Sequence, residues 1–102
     1  MYYSRRIRAR SLRFEWDTAN VEHIAIHDVR PWQAESAVGD QQRRSRYLGW
    51  IRGERRVFVV GRGGRRVLQV TLAPRGRGVF RVVTAYPAGR EQMEWYREGL
   101  MR

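Results

Sequence analysis

The first ordered signal in the chain is an alternation. Leu12, Phe14 and Trp16 are apolar, with Arg13 and Glu15 between them, which is the period-two pattern of a half-buried strand. Asp17 follows as a candidate helix N-cap, with Thr18 the other choice, for a helix running to about His27 with Val21, Ile24 and Ala25 as its buried stripe. Pro31 suits the first turn of a second short helix that Gly39 ends, with Trp32, Ala34 and Val38 offering core. From Arg46 the period becomes two again through "RYLGWI", "RRVFVVGR", "RVLQVTL" and "GVFRVVTAY". The breaks between them, "RGER", "GRGG" and "APRGRG", are short and contain glycine, so they read as hairpin connections between antiparallel neighbours. "GREQMEWYREG" closes the chain as a helix that packs through Met93 and Tyr96 or through Tyr96 and Leu100.

Strand, helix, helix, four strands, helix is an α+β order. The expected architecture is an antiparallel sheet of about four to five strands with two N-terminal helices and one C-terminal helix packed on it. A length of 102 residues supports one domain with a modest core. Residues 1–11 are basic and lack apolar periodicity, so they read as a loose arm preceding a single domain over residues 12–102.

Charge narrows the partners. The formal net charge is +11, and all 21 basic residues are arginine. A GC-rich genome accounts for arginine in place of lysine but not for the net charge. Guanidinium groups grip phosphates bidentately and stack on bases, so a polyanionic partner is expected, whether RNA, DNA or an acidic protein. With no cysteine, disulfides and thiolate metal sites are excluded. The arginines near the start are not followed by an apolar stretch of the kind a secretory signal needs, and no run reaches the length of a membrane span, so a soluble cytoplasmic protein is expected.

His23 and His27 are the only two histidines and stand four apart. The residues between them are Ile24, Ala25 and Ile26, not the glutamate-bearing pattern of a zinc protease, and only a carboxylate such as Glu22 or Asp28 is at hand to complete a site. No metal is expected. On a helical wheel Asn20, His23 and His27 form one polar stripe that faces a ligand, a partner or water. Arg81 interrupts "VFRVVTA" where a strand should be apolar, which calls for a counter-charge, Glu94 or Glu98 of the last helix, or for a phosphate. Arg62, Arg65 and Arg66 bracket one turn and Arg75 and Arg77 the next; they are either solvated tips or contacts to a nucleic-acid backbone. Tyr47, Trp50, Tyr86, Trp95 and Tyr96 interleave with this charge, as core residues or as stacking platforms for unpaired bases. "GRGGRR" is neither a phosphate-binding loop ending in Gly-Lys-Ser or Gly-Lys-Thr nor a dinucleotide fingerprint, so it reads as a turn and no cofactor is expected; without a Gly-x-Ser-x-Gly elbow or a cysteine nucleophile, acyl-transfer chemistry has little support.

The segments "FEWDTANVEHIAIHDV", "AESAV", "RVFVVGR", "RRVLQVTL" and "RVVTAYPAGREQMEWYRE" together resemble the BrnT-type toxins of bacterial type II toxin-antitoxin systems, over about residues 12–98. Phe14, Trp16 and Asp17 match the opening motif, Asn20, His27 and Val29 the helix, Arg81, Thr84 and Ala85 the last strand, and Tyr96 the tyrosine of the final helix. The chain departs from the pattern at Asp28, where glycine is usual, at Tyr86, which replaces a terminal arginine, and at Gln92, where glutamate is common. The resemblance implies a RelE-like fold, metal-independent ribonuclease activity that inhibits translation, and a cognate, DNA-binding antitoxin in a hetero-oligomer.

Such a reaction is attack of the RNA 2′-hydroxyl on its own phosphate, giving a cyclic phosphate and a free 5′-hydroxyl. It requires a proton acceptor, a proton donor and positive charge on the phosphorane. Arg81 is the first choice for charge, helped by Arg62 or Arg66, and the proton-transfer candidates are His23, His27, Tyr86 and Tyr96. Ideal alternation places Arg81 and Tyr86 on opposite faces, so they meet only if the strand twists or bulges. The rival readings are a basic module that binds RNA, DNA or the ribosome without chemistry, favoured by Tyr86, and an adaptor for an acidic protein.

Overall fold

A computed structural model describes residues 12–101. The basic arm expected over residues 1–11 lies outside the described residues, as does Arg102. The elements are β1 (Arg13–Glu15), α1 (Thr18–Ala25), α2 (Pro31–Gly39), β2 (Arg44–Ile51), β3 (Glu54–Gly63), β4 (Arg66–Gly76), β5 (Val79–Pro87) and α3 (Arg90–Leu100). The α+β order holds, with five strands in one sheet arranged β1-β5-β4-β3-β2.

The expectation of a wholly antiparallel sheet is corrected. β2 to β5 are joined by antiparallel hairpins, but β1 lies parallel to β5, with Arg13 opposite Val79 and Glu15 opposite Arg81. Hairpin logic governs consecutive strands only; β1 reaches the far edge of the sheet after the rest of the chain has intervened, so its direction is free of it.

Two of the hairpins turn through residue pairs at positive φ, Arg52 (53°) with Gly53 (82°) and Arg77 (57°) with Gly78 (76°), the handedness that suits twisted strands. The third turns at Gly64 and Arg65. The "GRGG" turn is therefore shorter than its sequence suggests, because Gly61 and Gly63 belong to β3. A Cβ on Gly61 would stand 2.0 Å from the carbonyl oxygen of Ala37, and one on Gly63 2.2 Å from that of Gln33. These glycines let the backbone of α2 rest directly on the strand.

The helices α1 and α2 close one face of the sheet over a core in which Ile24, Val29, Ala34 and Val38 meet Val59, Leu68, Val70 and Val82. On the other face α3 covers only part: Tyr96 packs on Val60 and Val67, and Trp95 stacks parallel to Phe58. The remainder of this second face is polar and open.

Candidate functional site

The site begins with an edge left unpaired. Among the described residues β1 pairs with β5 only from Val79 to Arg81, so from Val82 onward the backbone of β5 needs another partner. Asn20 of α1 supplies it. Its side-chain amide donates to the Val82 carbonyl at 3.0 Å and to the Glu15 carbonyl at 2.9 Å, while its Oδ1 accepts the Asp17 amide at 2.8 Å. Asp17 returns the bond by accepting the Asn20 amide at 3.1 Å, a reciprocal cap that starts the helix. Asn20 is 3% exposed, and α1 is rotated accordingly: Asn20 and Ile24 point inward, whereas Ala25, expected in the buried stripe, is exposed. The polar stripe of Asn20, His23 and His27 therefore runs along β5.

The other end of α1 fixes His27. The Asp28 amide donates to the Ala25 carbonyl at 3.0 Å and the Val29 amide to that of Ile24 at 3.1 Å, and the buried side chains of Ile24 and Val29 close the motif. Asp28 occupies the left-handed position of this cap, φ 60°. The regular helix stops at Ala25, but the capped turn carries the chain on to His27 in register.

On the sheet side the decisive feature is a bulge. Thr84 faces Thr71 and Val82 faces Leu72, so Val83 is an extra residue on β5. Alternation resumes one residue out of phase, and Arg81, Thr84 and Tyr86, which an ideal strand would divide between its faces, all line one open groove of about 810 Å³. His23 and His27 form its helical wall and Glu54 and Arg56 of β3 its floor. The His23 Nε2 lies 3.0 Å from the Thr84 hydroxyl, the two imidazoles meet edge to face with centroids 5.6 Å apart, and the His27 ring packs on Tyr86 at 5.2 Å.

The charges of the groove form a chain. Arg81 holds Asp17 through both terminal nitrogens, at 2.8 and 3.2 Å, and reaches Glu15 at 3.2 Å. Arg75 links Glu15 at 3.4 Å to Glu54 at 3.0 Å, and Arg56 completes the chain on Glu54 at 2.9 Å. The hydrogen bond from Arg81, then that from the Asn20 amide, hold the Asp17 carboxyl below its ordinary value; the same Asp17 bond raises the Arg81 guanidinium further. Desolvation opposes ionisation of Glu54, but the bonds from Arg75 and Arg56 outweigh it and keep its carboxyl low. The counter-charges of Arg81 are thus Asp17 and Glu15, not the expected Glu94 or Glu98.

Of the residues singled out in the sequence, Arg81, His23, His27 and Tyr86 converge in the groove and Arg75 stands beside it. Arg77 occupies the β4–β5 turn. Arg62, Arg65 and Arg66 sit at the β3–β4 hairpin, the opposite end of the strands, where Arg66 donates to the Asp28 carbonyl and to Gln33. They do not join Arg81. Tyr96 is 3% exposed in the core beneath α3, its hydroxyl donating to Asp40 at 2.6 Å, and it lies outside the groove. Sequence reasoning missed Arg56 and Glu54; their signal is the alternation Glu54, Arg56, Phe58, Val60, which places two charged residues on the otherwise apolar side of β3.

Among the described residues no three histidine, aspartate or glutamate side chains gather as metal ligands, and no helix is long and apolar enough to cross a membrane. No protein-family model and no curated protein matches this chain.

Proposed function

We propose that this chain is an RNA-cleaving enzyme using side-chain acid–base chemistry, and within that class a BrnT-type toxin with a RelE-like fold, neutralised in the bacterial cytoplasm by an antitoxin. The observation that carries this reading is the bulge at Val83, which sets Arg81, Thr84 and Tyr86 opposite His23 and His27 in one open groove. A net charge of +11 supports a polyanionic substrate, and the resemblance over about residues 12–98 supports the family.

In this reading the RNA phosphate lies over Arg81 and Arg56. His27 accepts the 2′-hydroxyl proton as the 2′-oxygen attacks phosphorus; the bond to the 5′-oxygen breaks, and His23 or the Tyr86 hydroxyl returns a proton to it. The products are a 2′,3′-cyclic phosphate and a 5′-hydroxyl. Imidazole is suited to both proton steps near neutrality, and guanidinium to the charge on the phosphorane but not to proton transfer. Thr84 fixes the orientation of the His23 ring.

One observation favours a second reading, a module that binds RNA without cutting it. Arg81 is already engaged by two carboxylates, so a phosphate must compete with Asp17 for its fork.

The test is incubation of total cellular RNA, with and without ribosomes, with the purified chain in excess EDTA, followed by mapping of product ends. Cyclic-phosphate ends that disappear with His27→Ala and Arg81→Ala, both variants retaining the wild-type circular dichroism spectrum, are expected. Salt-sensitive RNA binding without new ends under either condition supports the binding module instead.

A further inference from the structure

The sheet has two edges that are treated differently, and the β2 edge is unexplained by the groove. Among the described residues, sheet order ends at β2, an eight-residue strand whose outer side meets no other strand. Tyr47 and Trp50 on this strand are 58% and 70% exposed, and Leu48 and Ile51 are also exposed. Register places Tyr47 and Trp50 on one face, opposite Val57 and Arg55, and Arg44 and Arg46 on the other, over the Trp95 ring at 5.3 and 5.5 Å. β2 carries no acidic residue, and Arg43, Arg52 and Arg55 flank it. Among the described residues none of these five arginines forms an ion pair.

We propose that the free edge of β2 binds an extended, acidic segment of a partner polypeptide, which adds a sixth strand to the sheet. Three features call for this occupant together. Unpaired strand N–H and C=O groups need a polypeptide ladder, the exposed aromatic pair needs apolar side chains on one face, and the five arginines need carboxylates. A second copy of the chain supplies the ladder but sets Arg44 and Arg46 against their equivalents, in a protein of net charge +11. The chain's own residues 1–11 carry Arg5, Arg6, Arg8 and Arg10 and no acid, and meet the same repulsion. RNA offers phosphates but no ladder. β2 contributes no residue to the lining of the groove, so the proposal stands whether or not the groove cleaves RNA.

The experiment is selection from a displayed random-peptide library against the full chain, followed by hydrogen exchange with each selected peptide as the probe. Peptides rich in Asp and Glu alternating with apolar residues, protecting the amides of Arg44–Ile51, are expected. Methylation of alternate peptide nitrogens removes the binding, and the paired change Tyr47→Ser with Trp50→Ser weakens it by about tenfold or more. Arg46→Glu, which leaves both aromatics in place, weakens it too and separates the charge requirement from the apolar one. The proposal is overturned if no acidic peptide is selected, if protection appears at the groove, or if N-methylated peptides bind equally well. It is also overturned if sedimentation shows a dimer that the Tyr47/Trp50 change dissolves, or if a single-stranded oligoribonucleotide protects β2 as the peptides do.

Discussion

Two polar clusters lie on the same sheet and differ in what they leave unsatisfied. Around Asp40, at the end of α2, every group faces another: the carboxylate accepts the Tyr96 hydroxyl at 2.6 Å, the Arg62 amide at 2.8 Å and the Gln42 amide at 2.9 Å. These bonds tie α2 to β3 and α3. Around Arg81 the carboxylates are equally well held, but the imidazoles of His23 and His27 and the phenol of Tyr86 face an open groove. In both clusters carboxyl groups are held below their ordinary values. Depressed carboxyl titration therefore marks ion-pair or hydrogen-bond satisfaction, and it is the imidazole and phenol side chains lining an open groove that distinguish the Arg81 cluster from the closed knot around Asp40.

The comparison is broken most severely at the groove. Arg81→Ala is expected to lower RNA cleavage by about 10²–10³-fold, the scale of removing one positioned charge-stabilising donor. Thermal unfolding should move little, because the Arg81–Asp17 pair faces solvent. Asp40→Ala inverts that result. It strands the Tyr96 hydroxyl and two backbone amides, costing about 2–4 kcal/mol of stability in denaturant titration, while cleavage per folded molecule is unchanged. Tyr96→Phe loses one of those bonds and should cost about 1 kcal/mol, again with full activity. Loss of activity in folded Tyr96→Phe would place the phenol in the chemistry and undo the distinction between the clusters.

The pH dependence of stability sharpens the contrast at smaller scale. Burial opposes ionisation of Asp40, but the Tyr96 hydroxyl and the amides of Arg62 and Gln42 outweigh it, so its folded value is depressed. Its contribution is complete above the ordinary aspartate value and is lost as pH falls through the folded one, below about pH 4. Burial and then the Asp40 bond raise Tyr96. Its contribution is complete below the ordinary tyrosine value of about 10 and is lost as pH rises through the folded one. Stability measured against pH should therefore fall at both ends, and Asp40→Asn should flatten both slopes. The smallest effect is a gain: Asp28→Gly relieves a left-handed backbone at φ 60° and should add about 0.5–1 kcal/mol with activity unchanged.

The elements were legible in the sequence because their signals are local. The alternation of Phe14 and Trp16, the cap at Asp17, Pro31 and Gly39 at the ends of α2, and the glycine-bearing turns all specify structure within a few residues. Three features of the site were not. Nothing around Val83 announces a bulge, since neither glycine nor proline marks it, and the meeting of Arg81 with Tyr86 depends on that one extra residue. The parallel docking of β1 depends on pairing across the whole chain, and it delivers Glu15 and Asp17 to Arg81 in place of Glu94 and Glu98. The burial of Asn20 reverses the usual expectation for a helix stripe, because a side-chain amide completes the unpaired edge of β5 where no strand continues.

Because the chain has only two histidines, their imidazole resonances report on the groove without ambiguity. The most direct measurement is an NMR titration of those signals and of the arginine side chains with a short RNA whose 2′-oxygens are methylated, which binds but cannot react. The expected result is that His23, His27 and Arg81 shift along one binding curve that weakens as salt rises, while Tyr96 stays still. Shifts confined to Arg62, Arg65 and Arg66, or to Arg44 and Arg46, with both imidazoles unmoved, would contradict the assignment of the groove as the RNA site.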